Sequence, residues 1–234
     1  MKKYDTLLFD ADMTLFDFEE AERRSFAAVM AAEGIVCGET EFARYQRINA
    51  ALWLRFGRGE ITKDFLQSER FTAFLATLDA KYTREDGIRC NERFVAGLSA
   101  CSVLLDGAEE LCRKLAKTHT LYIVTNGISR VQHARFEKST LTPYFADVFV
   151  SEDAGEPKPG AGYFNYVFGK IGEEKRARAV IIGDSLESDI RGGEIAGIDA
   201  VWYNPAKNPN DTDIRPTAEA ADFGTLYEIL TQSL

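Results

Sequence analysis

No stretch of this chain approaches the roughly 18 consecutive apolar residues that a membrane-crossing helix requires. Nor does its start read as a secretory leader, because Lys2 and Lys3 precede a short apolar run that Asp10 interrupts. Basic residues are in the minority: 28 Lys and Arg stand against 37 Asp and Glu, a formal net charge of -9. That balance disfavours a nucleic-acid partner, whose phosphates call for a basic face. Cysteine is sparse, and Cys37, Cys90, Cys101 and Cys112 show neither a CxxC pair nor metal-ligand spacing. They are expected to be reduced thiols of a cytoplasmic protein. The two histidines, His119 and His133, are expected at the surface or on helices. Low-complexity tracts and internal repeats are also missing. What remains is an ordinary globular composition, 45% hydrophobic and 28% charged over 234 residues. That length suffices for one domain, or one and a half, with a substantial core.

The most informative stretch is Leu7-Leu8-Phe9-Asp10-Ala11-Asp12-Met13-Thr14-Leu15-Phe16. Tyr4 to Phe9 reads as a short buried strand. It breaks into two aspartates one residue apart, whose side chains point the same way in extended backbone. Like charges that close repel and raise each other's pKa. Such a pair at the end of a buried strand implies a metal ion, a shared proton, or both. The alternative is an Asp12 that caps a turn beside a solvated Asp10.

Beyond Phe16 the pattern becomes helical for about 80 residues. Phe18, Ala21, Phe26, Val29 and Met30 are spaced for one amphipathic helix, ended by Gly34. From Glu41, Tyr45, Ile48, Leu52 and Phe56 mark the apolar face of a second helix. Thr62 can cap a third helix carrying Phe65, Leu66, Phe71, Phe74 and Leu78, and a fourth runs from Arg84 to Leu98. These helices predict a small bundle over 17–99, inserted into a core made of 1–16 and 100–234. Flexible crossings are expected near Phe16–Asp17 and Ala96–Ser102.

From Asp106 strands and helices alternate. Strands are expected at Leu121–Val124, Asp147–Val150, Ala179–Ile182 and Asp199–Tyr203, and helices at Asp106–Ala116, Ser129–Lys138, Gly160–Ile171, Ser185–Ala196 and at the C-terminal end. Ser151 to Pro159 reads as loop. Apolar strands alternating with helices predict a doubly wound parallel α/β sheet, covered on both faces.

In such sheets ligands bind beyond the carboxyl ends of the strands. Asp10 and Asp12 end the first strand and Thr125-Asn126-Gly127 the second; Lys158 follows the third, and Asp184 ends the fourth, with Asp189 a turn further on. Singly, each could be a cap or a turn residue; four strands delivering polar groups to one edge are harder to explain that way. Asp10, Asp12 and Asp184 supply the hard oxygens that suit Mg²⁺. Lys158 adds a point cation, and Thr125 and Asn126 add donors. Together they describe a phosphoryl site, at which a carboxylate can itself attack phosphorus.

Asp10-x-Asp12-x-Thr14, Thr125-Asn126-Gly127, Lys158 and Gly183-Asp184-x-x-x-x-Asp189 resemble, in order and spacing, the four motifs of the haloacid dehalogenase (HAD) superfamily. The inserted helices resemble that superfamily's C1-type cap. The resemblance implies that Asp10 is the nucleophile, and that Asp12 protonates the leaving group and then activates water. It also implies that Thr125 and Lys158 hold the phosphoryl group with Asn126 and Gly127. Mg²⁺ would be ligated by Asp10, the Asp12 backbone carbonyl and Asp184, with Asp189 supporting those ligands from behind. An acid at the Asp12 position favours phosphoester hydrolysis over dehalogenation, because an alkoxide needs a proton to leave and chloride does not.

Within the helical stretch, Tyr45-Gln46-x-x-Asn49-x-x-Leu52-Trp53, Gly59-x-Ile61-Thr62 and Arg70-Phe71 resemble the YjjG-type pyrimidine 5′-nucleotidases, as does Gly183 to Ile190 with Gly192-Gly193. That resemblance implies a nucleoside monophosphate as the small-molecule partner, with Asn49, Trp53 and Arg70 as candidate contacts. For the aromatics at helical spacing, a place in the bundle core is the alternative, and for Asn49 and Arg70 it is pairing within the helical stretch itself. Competing functions are a phosphatase for sugar phosphates or phosphoglycolate, a phosphomutase, and a phosphoaccepting signalling module. Oligomeric state is not legible in the sequence.

Overall fold

The structure, a computed structural model, describes residues 4–232. They divide into two units, one holding the residues up to Phe18 and from Ser102 onward, the other Glu19–Cys101.

The first unit is built on strand β1 (Thr6–Phe9), all four of whose residues are buried. Leu7 and Phe9 point into one apolar layer and Leu8 into the opposite one, the period-2 consequence of extended backbone. A strand covered on both faces can therefore be apolar throughout, and each such side chain contributes about 1.5–3 kcal/mol.

The second unit comprises helix α1 (Phe18–Ala32) from its second residue onward, α2 (Glu39–Gly57), α3 (Lys63–Ala76) and α4 (Arg84–Ala100). Gly34, at φ +68°, ends the segment after α1 as its spacing predicts. Thr62 accepts a hydrogen bond from Phe65 N (3.1 Å) and so caps α3. Phe26, Tyr45, Phe71, Phe74 and Phe94 form the bundle's aromatic centre, with Tyr45 and Phe71 centroids 4.8 Å apart. The buried face of α2 differs from expectation: it runs through Phe42, Tyr45, Asn49 and Leu52, with Ile48 and Phe56 only partly covered. A polar Asn49 within that face hid it from an apolar count. Helix α4 also continues to Ala100, so most of the expected crossing at Ala96–Ser102 is helical. Gly97 packs tightly against Ser25 there rather than breaking the helix.

Returning to the first unit, the chain runs through α5 (Ala108–Leu115), β2 (Thr120–Thr125), α6 (Ser129–Glu137) and β3 (Phe145–Val150). It continues through α7 (Ser151–Ala154), α8 (Ala161–Ile171), β4 (Ala179–Gly183), α9 (Arg191–Ala196), β5 (Asp199–Tyr203), β6 (Ala218–Ala220) and α10 (Phe223–Thr231). All strands pair in parallel, in the order β3-β2-β1-β4-β5-β6. Helices α5 and α10 cover one face of the sheet, and α8 and α9 the other.

Three local features depart from expectation. Strand β6 is three residues long and carries no apolar run. Helix α7 occupies the start of the expected Ser151–Pro159 loop. The expected Ser185–Ala196 helix opens on a wide turn, in which Ile190 N reaches back five residues to Ser185 O (3.2 Å). Of the histidines, His133 is exposed on α6, whereas His119 is buried in the turn before β2, outside any helix. No helix among the described residues is long and apolar enough to cross a membrane.

Candidate active site

Strand register decides which side chains meet. Phe9 is level with Ile123 of β2 and with Ile182 of β4. One further step along β1 reaches Asp10, and two further steps along the neighbours reach Thr125 and Asp184. The winding of the sheet reverses between β1 and β4, since β2 and β3 lie on one side of that line and β5 and β6 on the other. Connections from β1 and β4 therefore part to opposite faces and leave a crevice at their carboxyl ends.

Lys158 is drawn into this crevice from the loop ahead of α8. Its Nζ donates to Asp10 Oδ1, Asp189 Oδ1 and Val124 O, each at 2.7 Å. The ammonium is buried, and three acceptors match its three protons. Asn126 secures the loop: its Nδ2 donates to Lys158 O (2.9 Å) and its Oδ1 accepts from Lys158 N (2.8 Å). Thr125 is buried beside them, and its Oγ1 accepts from Gly127 N (3.1 Å). Asp189 is filled from both sides, since its Oδ2 accepts from Ser185 N (3.1 Å).

Carboxylate oxygens of Asp10, Asp184 and Asp189 lie within 4.8 Å of one another. Three acids share this space with one cation, and the electrostatics follow. Burial foremost, then Asp189 and Asp184, pushes the Asp10 carboxyl well above the usual carboxylate range despite Lys158. Asp184 is pushed up to about 7, first by burial and then by Asp189. Burial works to lower the Lys158 ammonium, but Asp10 and Asp189 outweigh it and hold its pKa above the ordinary value. Hard oxygens with an excess of negative charge that is costly to keep ionised suit a divalent cation such as Mg²⁺. Asp10 and Asp184 are the fitting ligands, because both Asp189 oxygens already accept hydrogen bonds.

Asp12 is turned elsewhere. Its Oδ1 accepts from Arg135 Nη1 (2.5 Å) and its Oδ2 from Gln132 Nε2 (2.6 Å). Neither donor was singled out in the sequence. The available signal was their spacing, since i and i+3 on α6 share a face one turn past the Asn126-Gly127 junction. In the helical unit, Asn49 is buried and donates to Glu22 Oε1 (2.8 Å). Arg70 is buried as well; its Nε donates to Asn91 Oδ1 (2.7 Å) and its guanidinium lies 4.7 Å from the Phe94 ring centroid. Asn49 and Arg70 thus make these contacts inside the bundle, while Trp53 is half-buried with its ring edge-to-face against Phe56 (5.7 Å).

Residues 4–197 match the haloacid dehalogenase-like hydrolases. The chain belongs to that family. Among its relatives, YfnB of Bacillus subtilis is 42% identical over 98% of this chain and 97% of its own. The crystal structure of YfnB bound to magnesium has a TM-score of 0.91 at 41% identity, covering 98% of this chain and 99% of that one. The pyrimidine 5′-nucleotidase PynA of Streptococcus pneumoniae is 34% identical over 99% of this chain and 97% of its own. The pyrimidine 5′-nucleotidase YjjG of Escherichia coli is 31% identical over 97% and 98%. The parallel sheet with its flanking helices is thus the fold of a HAD-family hydrolase, and nucleotidases among its relatives support phosphatase function.

Proposed function

We propose that this hydrolase is a Mg²⁺-dependent phosphomonoesterase that works through an aspartyl-phosphate on Asp10, with pyrimidine nucleoside 5′-monophosphates as substrates. One observation carries the reaction class: a second carboxylate, Asp12, stands two residues beyond a buried Asp10 that is already engaged by a lysine. The PynA and YjjG relatives support the substrate class.

A carboxylate oxygen of Asp10 attacks phosphorus, forming the oxygen–phosphorus bond of an acyl phosphate as the bond to the substrate's 5′-oxygen breaks. Asp12 gives that oxygen its proton, so that the nucleoside leaves as a neutral alcohol. Water then attacks the phosphoryl group and yields its proton to Asp12; the bond to Asp10 breaks, releasing phosphate and restoring both carboxyls. Mg²⁺, held by Asp10 and Asp184, would neutralise charge on the phosphoryl oxygens so that an anionic nucleophile can approach. Lys158 supplies further positive charge beside Asp10, and Thr125 supplies a hydroxyl at the same edge. Asn126 and Asp189 keep Lys158 in place, the first through its backbone and the second through its ammonium.

The test is phosphate release from UMP, dUMP, dTMP, purine 5′-monophosphates, sugar phosphates and phosphoglycolate, with Mg²⁺ and with excess chelator. Metal-dependent turnover led by the pyrimidine nucleotides, and abolished by Asp10→Asn, is the expected result. Turnover led by sugar phosphates or phosphoglycolate would keep the mechanism and refute the nucleotidase assignment. Absence of turnover with any ester would refute the phosphatase reading.

A further inference from the structure

We propose that Gln132 and Arg135 are positioning residues that hold Asp12 in its acid–base orientation, and that residue 127 is glycine to give Gln132 its path to Asp12. The inference rests on the role given to Asp12 above; Gln132 and Arg135 lie outside the four motifs.

Arg135 is 1% exposed and Gln132 3%. A buried guanidinium is costly unless it is paired, and here it meets the one carboxylate of the Asp10–Asp12 pair that Lys158 does not reach. The two donors stand one helical turn apart on α6 and divide the carboxylate between them, one oxygen each. Two hydrogen bonds to different oxygens set both the side-chain direction and the plane of the carboxylate, which one alone would leave free to turn. A carboxylate offers about four lone-pair positions, so two remain to carry and deliver a proton.

Arg135 also grips the turn that presents Asp12. Its guanidinium lies 4.6 Å from the centroid of the Phe16 ring. Phe16 closes that turn through Phe16 N to Ala11 O (2.9 Å) and Met13 N to Phe16 O (2.9 Å). Gly127 supplies an independent observation. A Cβ there would stand 2.2 Å from Gln132 Nε2, 2.7 Å from its Cγ and 2.8 Å from its Cδ. The Gln132 amide therefore occupies the space that any side chain at 127 would fill.

The experiment compares an alkyl monoester, UMP, with p-nitrophenyl phosphate in the full-length enzyme with Mg²⁺. The uridine alkoxide needs a proton to leave, whereas nitrophenolate departs as a stable anion. Gln132→Met, which keeps side-chain length and loses the amide, is expected to lower kcat for UMP by about tenfold or more, and the rate of the first-turnover nitrophenolate burst, which precedes the Asp12-assisted attack of water, by less than about threefold. Gly127→Ala is expected to reproduce that selectivity, and Arg135→Lys to retain more UMP turnover than Arg135→Met. In an Asp12→Asn background, Gln132→Met is expected to change UMP turnover by less than about twofold, because its effect passes through Asp12. Equal losses of UMP turnover and of the nitrophenolate burst, or a full Gln132→Met effect without Asp12, would mean that the pair only supports the fold and would overturn the proposal. If Arg135→Met does not fold, Gln132→Met and Gly127→Ala decide. A wild-type enzyme that hydrolyses neither ester would instead remove the phosphatase reading and this inference with it.

Discussion

Replacing Lys158 by Met tests the electrostatics at the centre of the site. Met keeps most of the aliphatic stem and deletes the ammonium that Asp10 Oδ1, Asp189 Oδ1 and Val124 O share. At 2.7 Å and an effective dielectric of about 20, each ion pair is worth about 6 kcal/mol of gross attraction. The cost of burying the ammonium offsets much of that, and removing one partner of such a pair costs about 3–5 kcal/mol net. The variant's loss is also pH-dependent. Without Lys158 the carboxyl pKa values rise further, the folded state binds more protons than the unfolded one, and stability falls as pH rises. The deficit is therefore expected to be larger at pH 8 than at pH 6. The two tryptophans allow a local readout, because Trp53 lies in the helical unit and Trp202 in β5. In a Trp53→Phe background, Trp202 emission follows urea unfolding of the sheet alone. A loss of about 4 kcal/mol would move the midpoint down by roughly 2 M at a slope of about 2 kcal/mol per molar urea, the middle of the usual range. Saturating Mg²⁺ would return part of it, about 2.7 kcal/mol at a hundred times its Kd. A midpoint within about 0.3 M of the parent in chelator at pH 8 would refute the reading of Lys158 as charge compensation for buried carboxylates.

For the parent protein in chelator, Trp202-reported stability is expected to rise on acidification from pH 8 to 6. The folded-state pKa of Asp184 is raised to about 7, above its unfolded value, so the folded state binds more protons in that window; Asp184→Asn should flatten the slope, and a rise in stability toward pH 8 would contradict it. Phe71→Ala removes a fully buried ring that contacts Tyr45 and Phe94. It should cost the helical unit about 3–5 kcal/mol in thermal unfolding followed by circular dichroism, and a cost below about 1 kcal/mol would place that ring outside the core. At Gly87 a Cβ would meet Thr72 Oγ1 at 2.2 Å, N at 2.6 Å and Cα at 2.7 Å. Gly87→Ala should therefore destabilise the unit by about 1–3 kcal/mol. Adding Thr72→Ala should not restore it, because backbone atoms take part in the clash; restoration would show that α3 and α4 can move apart there.

The alternation of apolar strand and helix and the polar residues that end β1, β2 and β4 were legible in the sequence, because both are local. A strand of Leu7, Leu8 and Phe9 buries itself whatever surrounds it, and Gly34 and Thr62 end or begin helices through their own backbone and hydroxyl chemistry. Elements without a local signal were missed. Strand β6, Ala218–Ala220, exists because β5 offers an edge to pair with, and Asn49 lies on the buried face of α2 because Glu22 meets it there.

Local pattern was enough to bring a carboxylate pair, a lysine and further acids to one edge of a parallel sheet. Periodicity of two or 3.6 residues needs nothing beyond the neighbouring chain. How those charges are shared depends on contacts between distant parts of the chain. Lys158 binds Asp10, 148 positions away, and Asp189, while Asp12 turns to Gln132 and Arg135, more than a hundred residues further along. Those pairings depend on strand register and on the clearance at Gly127, distances that no local pattern encodes.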